Sequence, residues 1–276
     1  MNWLILPIAV AVALLAPPLM DGVRRKVYAA VQMRIGPPLL QTWYDLAKLF
    51  RRRTTVPATG NWLYYAAPLA SLLCVLAAAA MASYPPLCGL LGGVIGFYLL
   101  VESSAILLVL GALGITPYTS IGGVRMLAVS GAAGLGVVMG LAGYAAVTGR
   151  LLWIGGVGAA ALPAAAALIV AGIVELELPP YNVAEAGPEI AAGPYTEYQG
   201  PLLAAALMSS WSRGFTLLYA GYTLLAGPLA GLVAALATHA AYSVVAGVTG
   251  RPRPLRAVGL AGLSIAAGAA ALALAA

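Results

Sequence analysis

Residues 62–83 read WLYYAAPLASLLCVLAAAAMAS, twenty-two positions without a charge. A helix of about 20 apolar residues spans the roughly 30 Å of hydrocarbon in a bilayer, so this stretch is long enough to cross one. Its apolar residues are continuous and do not alternate, which argues against a strand of a lipid-facing β-barrel. The remainder of the 276-residue chain has the same character, 62% hydrophobic and 8% charged, whereas soluble domains carry roughly 25% charged residues. The sequence describes an all-α polytopic membrane protein, a single membrane domain over residues 1–276.

Outward from residues 62–83, apolar runs define eight expected spans: about 2–20, 62–83, 89–113, 126–147, 154–177, 201–223, 225–247 and 257–275. The first lacks a basic segment ahead of it and is followed by positive charges, so it reads as a retained span and not a cleaved leader. The last pair is divided at Ala226-Gly227-Pro228, a Gly/Pro break in one long apolar stretch. Lys and Arg concentrate in cytoplasmic loops. The segment 21–61 holds Arg24, Arg25, Lys26, Arg34, Lys48, Arg51, Arg52 and Arg53. With both termini outside, Arg125, Arg251, Arg253 and Arg256 join them inside, and only Arg150 falls outside. The basic excess, 14 Lys and Arg against 8 Asp and Glu, therefore reports topology and not nucleic-acid binding. Cys74 and Cys88 are too few and too far apart to hold a zinc ion or an iron–sulfur cluster, so any redox centre belongs to another chain.

Two non-spanning segments face the same side, 21–61 and 178–200. After Gly36-Pro37-Pro38, the residues Leu39, Leu40, Trp43, Leu46, Leu49 and Phe50 recur at helical spacing, predicting a short amphipathic helix in the membrane interface. Its Arg51-Arg52-Arg53 end suits anionic lipid head groups and a protein partner equally well. The other segment is acidic. Five of the eight carboxylates, Glu175, Glu177, Glu185, Glu189 and Glu197, fall between 175 and 198 with four prolines. Pro179-Pro180 ends the preceding helix. Asn182-Val183-Ala184-Glu185 has the form of a capping box, predicting a short helix with Glu185 and Glu189 on one face. Tyr181, Tyr195 and Tyr198 among the acids suit a folded surface, and clustered carboxylates titrate as a group.

Ionisable residues inside a bilayer are functional candidates by default. Glu102 in the third span and Arg213 in the sixth lie at similar depth, which allows either a structural ion pair between them or a proton-exchanging Glu102 whose affinity burial raises. His239 in the seventh span is a packing residue or a titrating one.

Two motifs carry a family resemblance. PPYNVAEAGPEIAAGPYTEYQG, residues 179–200, resembles the signature loop of the membrane subunit that joins the two arms of respiratory NADH:quinone oxidoreductase. It resembles equally the matching subunit of energy-converting nickel–iron hydrogenases and formate hydrogenlyase. The match runs through Pro180, Glu185, Ala186, Glu189, Gly193, Glu197, Tyr198 and Gly200. RIGPPLLQTWYDLAKLFRR, residues 34–52, is similar to the family's arginine, Gly-Pro and Leu-Gln-x-x-x-Asp-x-x-Lys helix, in the compact form of the hydrogenase branch. Departures are Tyr181-Asn182 for the family's Phe-Asp, Gly187 for a glutamate, and a fourth span without a carboxylate.

The resemblance implies an eight-helix subunit without a catalytic centre or cofactor of its own, in a prokaryotic cytoplasmic membrane. Its cytoplasmic partners would be a hydrophilic iron–sulfur subunit and a hydrogenase-like large subunit carrying nickel–iron, and antiporter-like subunits would lie beside it in the membrane. It implies proton coupling through Glu102, Glu175, Glu177, Glu185, Glu189, Glu197, Arg213 and His239, and partner docking through Arg34, Asp45, Lys48, Tyr195 and Tyr198. A quinone-site subunit and an independent secondary transporter stay open; the latter often shows an internal repeat, and none is convincing here.

Overall fold

The computed structural model describes residues 5–55, 57–58, 60–152 and 157–275. The described residues contain twelve α-helices and no strand. In chain order they are α1 (Ile5–Val31), α2 (Gln41–Arg51), α3 (Trp62–Ser83), α4 (Pro85–Leu90), α5 (Gly93–Ala112) and α6 (Pro117–Thr148). There follow α7 (Leu162–Glu175), α8 (Gly187–Ile190), α9 (Gly200–Ala226), α10 (Pro228–Val248), α11 (Pro254–Ala261) and α12 (Leu263–Ala275). A 3-10 turn over Gly158–Ala161 extends α7 backwards, and α11 and α12 run on as one interrupted rod. Six of these segments, α3, α5, α6, α7 with its 3-10 turn, α10 and α11–α12, are long and apolar enough to cross a membrane. At 27 residues each, α1 and α9 are about 40 Å long, but α1 carries Asp21, Arg24, Arg25 and Lys26 and α9 carries Arg213.

Helix ends follow local chemistry. Asn61 accepts the Tyr64 backbone N–H at 3.2 Å and starts α3, as an N-cap asparagine does. Thr116 and Thr119 form a capping box ahead of Pro117, the first residue of α6. Gly227, at φ 79°, turns the chain from α9 into α10 with Pro228 at the first position, so the expected split is real.

Several expected bounds shift. The first span continues as helix to Val31, because Asp21 pairs with Arg24 and Arg25 one turn later and carries the helix through the charges. The third begins at Gly93 and not 89, since Gly92 and Gly93 both take left-handed φ and separate α4 from α5. The fourth begins at Pro117 and not 126: at 32 residues, about 48 Å, α6 outruns the hydrocarbon and holds Arg125 on a protruding end. The fifth ends at Glu175, leaving Glu177 beyond the helix at φ 53°. The expected starts at residues 2 and 154 lie outside the described residues.

The hub is α9, buried along most of its length and touching α1, α2, α3, α5, α7 and α10. Around it the outer helices follow one another as α10, α1, α3, α5 and α6, with α12 closing against α6 and α7. Phe97, Val101, Leu168, Phe215 and Leu218 fill the main core. The expected amphipathic helix is α2. It lays Leu46 against Ala204 and Met208 of α9, with Trp43, Leu49 and Trp211 around them.

Asp21, 3% exposed, fixes α2 in place by accepting hydrogen bonds from Arg24, from Arg25 Nε at 2.8 Å and from Thr42 Oγ1 at 2.7 Å. Arg25 Nη1 also donates to Asp45 Oδ2 at 2.8 Å. Because Arg25 and Asp45 are partly solvated, that link contributes about 0.2–1 kcal/mol. Asp45→Ala should therefore speed tryptic cleavage at Lys48 and Arg51 about two- to five-fold while the spanning helices stay protected, as read by mass spectrometry on membrane vesicles.

Candidate functional site

The site is organised by Arg213, 1% exposed in α9. A Cβ at the neighbouring Gly214 would lie 2.6 Å from Leu176 N and 2.7 Å from Glu175 O, so the glycine lets the end of α7 press flush against α9. That approach brings Glu175 Oε2 to 2.6 Å from Arg213 Nε and Glu177 Oε1 to 2.7 Å from Nη2. Tyr195 completes the group, its hydroxyl donating to Glu177 Oε2 at 3.0 Å. The expected Glu102–Arg213 pair is not formed. Arg213 is matched instead by two acids delivered from the loop end of α7, a pairing that depth along the spans could not show.

One cation faces two carboxyls in a buried setting. Burial is the largest influence on Glu177 and pushes its pKa up to about 7, with Glu185 and Glu175 adding repulsion against the pull of Arg213. Glu177 thus holds or releases a proton near neutral pH. Burial also pushes the Tyr195 hydroxyl well up, keeping it a donor.

Glu102, on α5, rests its carboxylate against the backbone of α6, where a Cβ at Gly134 would collide with Glu102 Oε1. Among the described residues it makes no salt bridge. The expected capping box around Asn182 is replaced by a side-chain bond, Asn182 Nδ2 donating to Glu185 Oε2 at 3.1 Å. The helix is only the four residues of α8, Gly187–Ile190, with Pro188 in its first turn, so Glu185 lies before it. Glu185 and Glu189 consequently part. Glu189 is exposed and accepts from Arg125 Nη1 at 2.9 Å. Glu185 turns inward to a polar cavity of about 220 Å³, whose walls include Asp21, Arg24, Arg25, Glu177 and His239. His239, 5% exposed, has an Nδ1 atom without a hydrogen-bond partner among the described residues.

Glu197 acts through its carbonyl, which accepts from Tyr64 OH at 2.8 Å. Tyr195 and Tyr198, expected on a docking surface, are buried. The Tyr198 hydroxyl donates to the Leu108 carbonyl at 2.8 Å and its ring stacks on Tyr64 at 5.3 Å. Of the expected docking residues, Asp45 is engaged with Arg25 and Gln41, while Arg34 and Lys48 are exposed. The reading missed Asp21, although its spacing of three and four residues from Arg24 and Arg25 is an ion-pair signal. Loops 32–61 and 176–199 touch: Thr55 Oγ1 bonds Gln199 Oε1, and Tyr64 OH also reaches the Thr55 carbonyl at 3.4 Å.

A family model described as NADH dehydrogenase matches residues 4–271. Hydrogenase-4 component C of Escherichia coli strain K12 is 29% identical over 218 residues, covering 74% of this chain and 68% of that protein. In fold the chain is similar to one in the solved membrane-bound sulfane sulfur reductase, an archaeal respiratory membrane complex. The TM-score is 0.72 at 21% identity, over 99% of each chain.

Removing the cation from this buried group is costly. Arg213→Leu should lose about 3–5 kcal/mol of stability, seen as a sharp fall in the fraction that survives heating in detergent, and adding Glu175→Gln should restore part of it. Glu177 gives a pH signature. Between about pH 4.5, the ordinary carboxyl value, and about pH 7 the native state binds more protons at Glu177 than the unfolded chain, so stability falls as pH rises through that window. Glu177→Gln should flatten that part of the profile, measured as Tm against pH.

Proposed function

Because the chain belongs to the NADH dehydrogenase family, we propose that it is the membrane anchor and connecting subunit of an energy-converting nickel–iron hydrogenase or formate-hydrogenlyase-type complex. In this reading it docks the hydrophilic redox arm and couples electron transfer to ion translocation. The similarity to a hydrogenase-4 component supports the hydrogenase branch. The chain would cross a prokaryotic cytoplasmic membrane eight times with both termini outside, and the touching loops 32–61 and 176–199 would face the cytoplasm. An iron–sulfur subunit and a hydrogenase-like large subunit, which carry the metal centres, would sit on that face. Exposed Arg34, Lys48 and Glu189 offer them charge, antiporter-like subunits would flank the bundle, and lipid head groups would meet Arg51, Arg52 and Arg53.

The observation that carries the coupling reading is Glu177. It titrates near neutral pH and touches both the interior cation Arg213 and the cavity shared with Glu185 and His239. A redox change above the loop alters the local field, and a carboxyl poised near neutrality answers by taking up or releasing a proton. Arg213 and Glu175 pass that change of charge into the bundle, toward Glu102.

The polar cavity also favours a second reading, a quinone-site subunit, because it offers both donors and acceptors to a quinone head group. Nickel-ligating cysteines in the co-purified large subunit would decide for hydrogenase. Isolation as a lone active protein would instead point to a secondary transporter.

In inverted vesicles of the assembled complex, Glu177→Gln and Glu102→Gln should each keep electron transfer to within about two-fold while reducing ion transport at least ten-fold. Unchanged ion transport in both variants refutes the coupling.

A further inference from the structure

Where α6, α7 and α9 meet there is a small cavity of about 10 Å³. Its polar wall includes Ser130, Glu175, Glu177 and Arg213. Among the described residues, three of the lining side chains carry a buried atom with no hydrogen-bond partner: Ser130 Oγ, Glu175 Oε1 and Arg213 Nη1. Their residues are 4%, 3% and 1% exposed, so bulk solvent cannot satisfy them. Each comes from a different helix, and the second and third belong to the ion-paired group already described.

We propose that this cavity holds one ordered water molecule, positioned by Ser130, and that this water links the Arg213 group to Glu102. The space suffices for one water, which needs roughly 10–15 Å³ of such volume and typically makes about three hydrogen bonds. The donor and acceptor inventory fits. Arg213 Nη1 can only donate and Glu175 Oε1 accepts, while the Ser130 hydroxyl does either. A water accepts from the guanidinium, donates to the carboxylate and shares its remaining bond with the serine. A sodium ion fits poorly, because the wall carries a guanidinium that is always charged and only two of the three unpaired atoms are oxygens.

Ser130 also gives the water a direction. Ser130 and Gly134 are four residues apart on α6, hence on one face and about 6 Å apart along the axis. The Glu102 carboxylate lies against α6 at Gly134. Ser130 and its water therefore stand one helical turn from Glu102 on one side and against Glu175 on the other. Ser130 is thus the polar side chain of α6 nearest in register to the Glu102 contact, and a proton passing between the two carboxylates would cross that one turn through a further water or a swing of the Glu102 side chain. This role rests on the coupling reading given above, whereas occupancy of the cavity does not.

The test uses the intact complex, with wild type, Ser130→Ala, Ser130→Thr and Glu177→Gln compared. A cryo-EM map that resolves waters should show one peak within hydrogen-bond distance of all three atoms. An empty cavity, or a peak at cation–oxygen distances that tracks sodium in the buffer, overturns the proposal. Ser130→Ala should lower the ratio of ions moved to electrons transferred at least five-fold with assembly and electron transfer kept, and Ser130→Thr, which retains a hydroxyl, should restore it. A purely structural role would not move that ratio at constant electron transfer. If Glu177→Gln abolishes transport and Ser130→Ala does not, the link is overturned while the coupling reading stands. If neither changes transport, the link is overturned, and the coupling reading falls as well when Glu102→Gln is also without effect.

Discussion

A guanidinium in the middle of an apolar bundle dictates much of this molecule. An unpaired buried charge is costly enough to unfold a protein, so Arg213 has to be met by anions wherever α9 places it. The chain meets it by ending α7 at Glu175, throwing Glu177 past the helix end at positive φ, and returning Tyr195 to hold the far carboxyl oxygen. Ser209, Ser210 and Ser212 beside it are also buried, so this stretch of α9 is polar in a helix otherwise packed as core. The acidic loop keeps its shape because its acids answer a charge inside the bundle.

A second buried charge group repeats the logic at the membrane edge. Asp21 stands where α1 leaves the apolar region and gathers Arg24, Arg25 and Thr42 around itself. Through it α2 is tied to the bundle. The polar cavity lies between the two groups, walled by Asp21 on one side and Glu177 on the other. Side chains from α1, α2, α10 and loop 176–199 thus meet in one polar cavity.

The spans were legible because apolar length is a local property. The run 62–83 is α3 to the residue, and the α9–α10 break is written in Gly227-Pro228. What escaped was set by contacts between distant segments. Depth suggested Glu102 for Arg213, yet the approach of α7 at Gly214 supplied Glu175 and Glu177 instead. The pattern Asn182 to Glu185 has the residues of a capping box, but the side-chain bond between them formed without a helix to cap. Tyr195 and Tyr198 read as surface aromatics because an acidic, proline-rich loop is ordinarily solvated; here it folds back onto α5 and α6. Asp21 sits at the edge of a span among nearby basic positions, and only the return of α2 with Thr42 shows it as the buried partner of Arg24 and Arg25.

The contact between Glu102 and the backbone at Gly134 couples the two positions in space. A methyl group at position 134 occupies the space of the carboxylate, so the smallest step away from glycine displaces Glu102. Because the atoms met are the far end of a flexible side chain, the carboxyl can give way by changing rotamer, and what alanine at 134 takes from Glu102 is its seat against α6. Glycine at 134 therefore works as a notch that fixes where on α6 the carboxyl rests, so the residue without a side chain decides the position of the charge beside it.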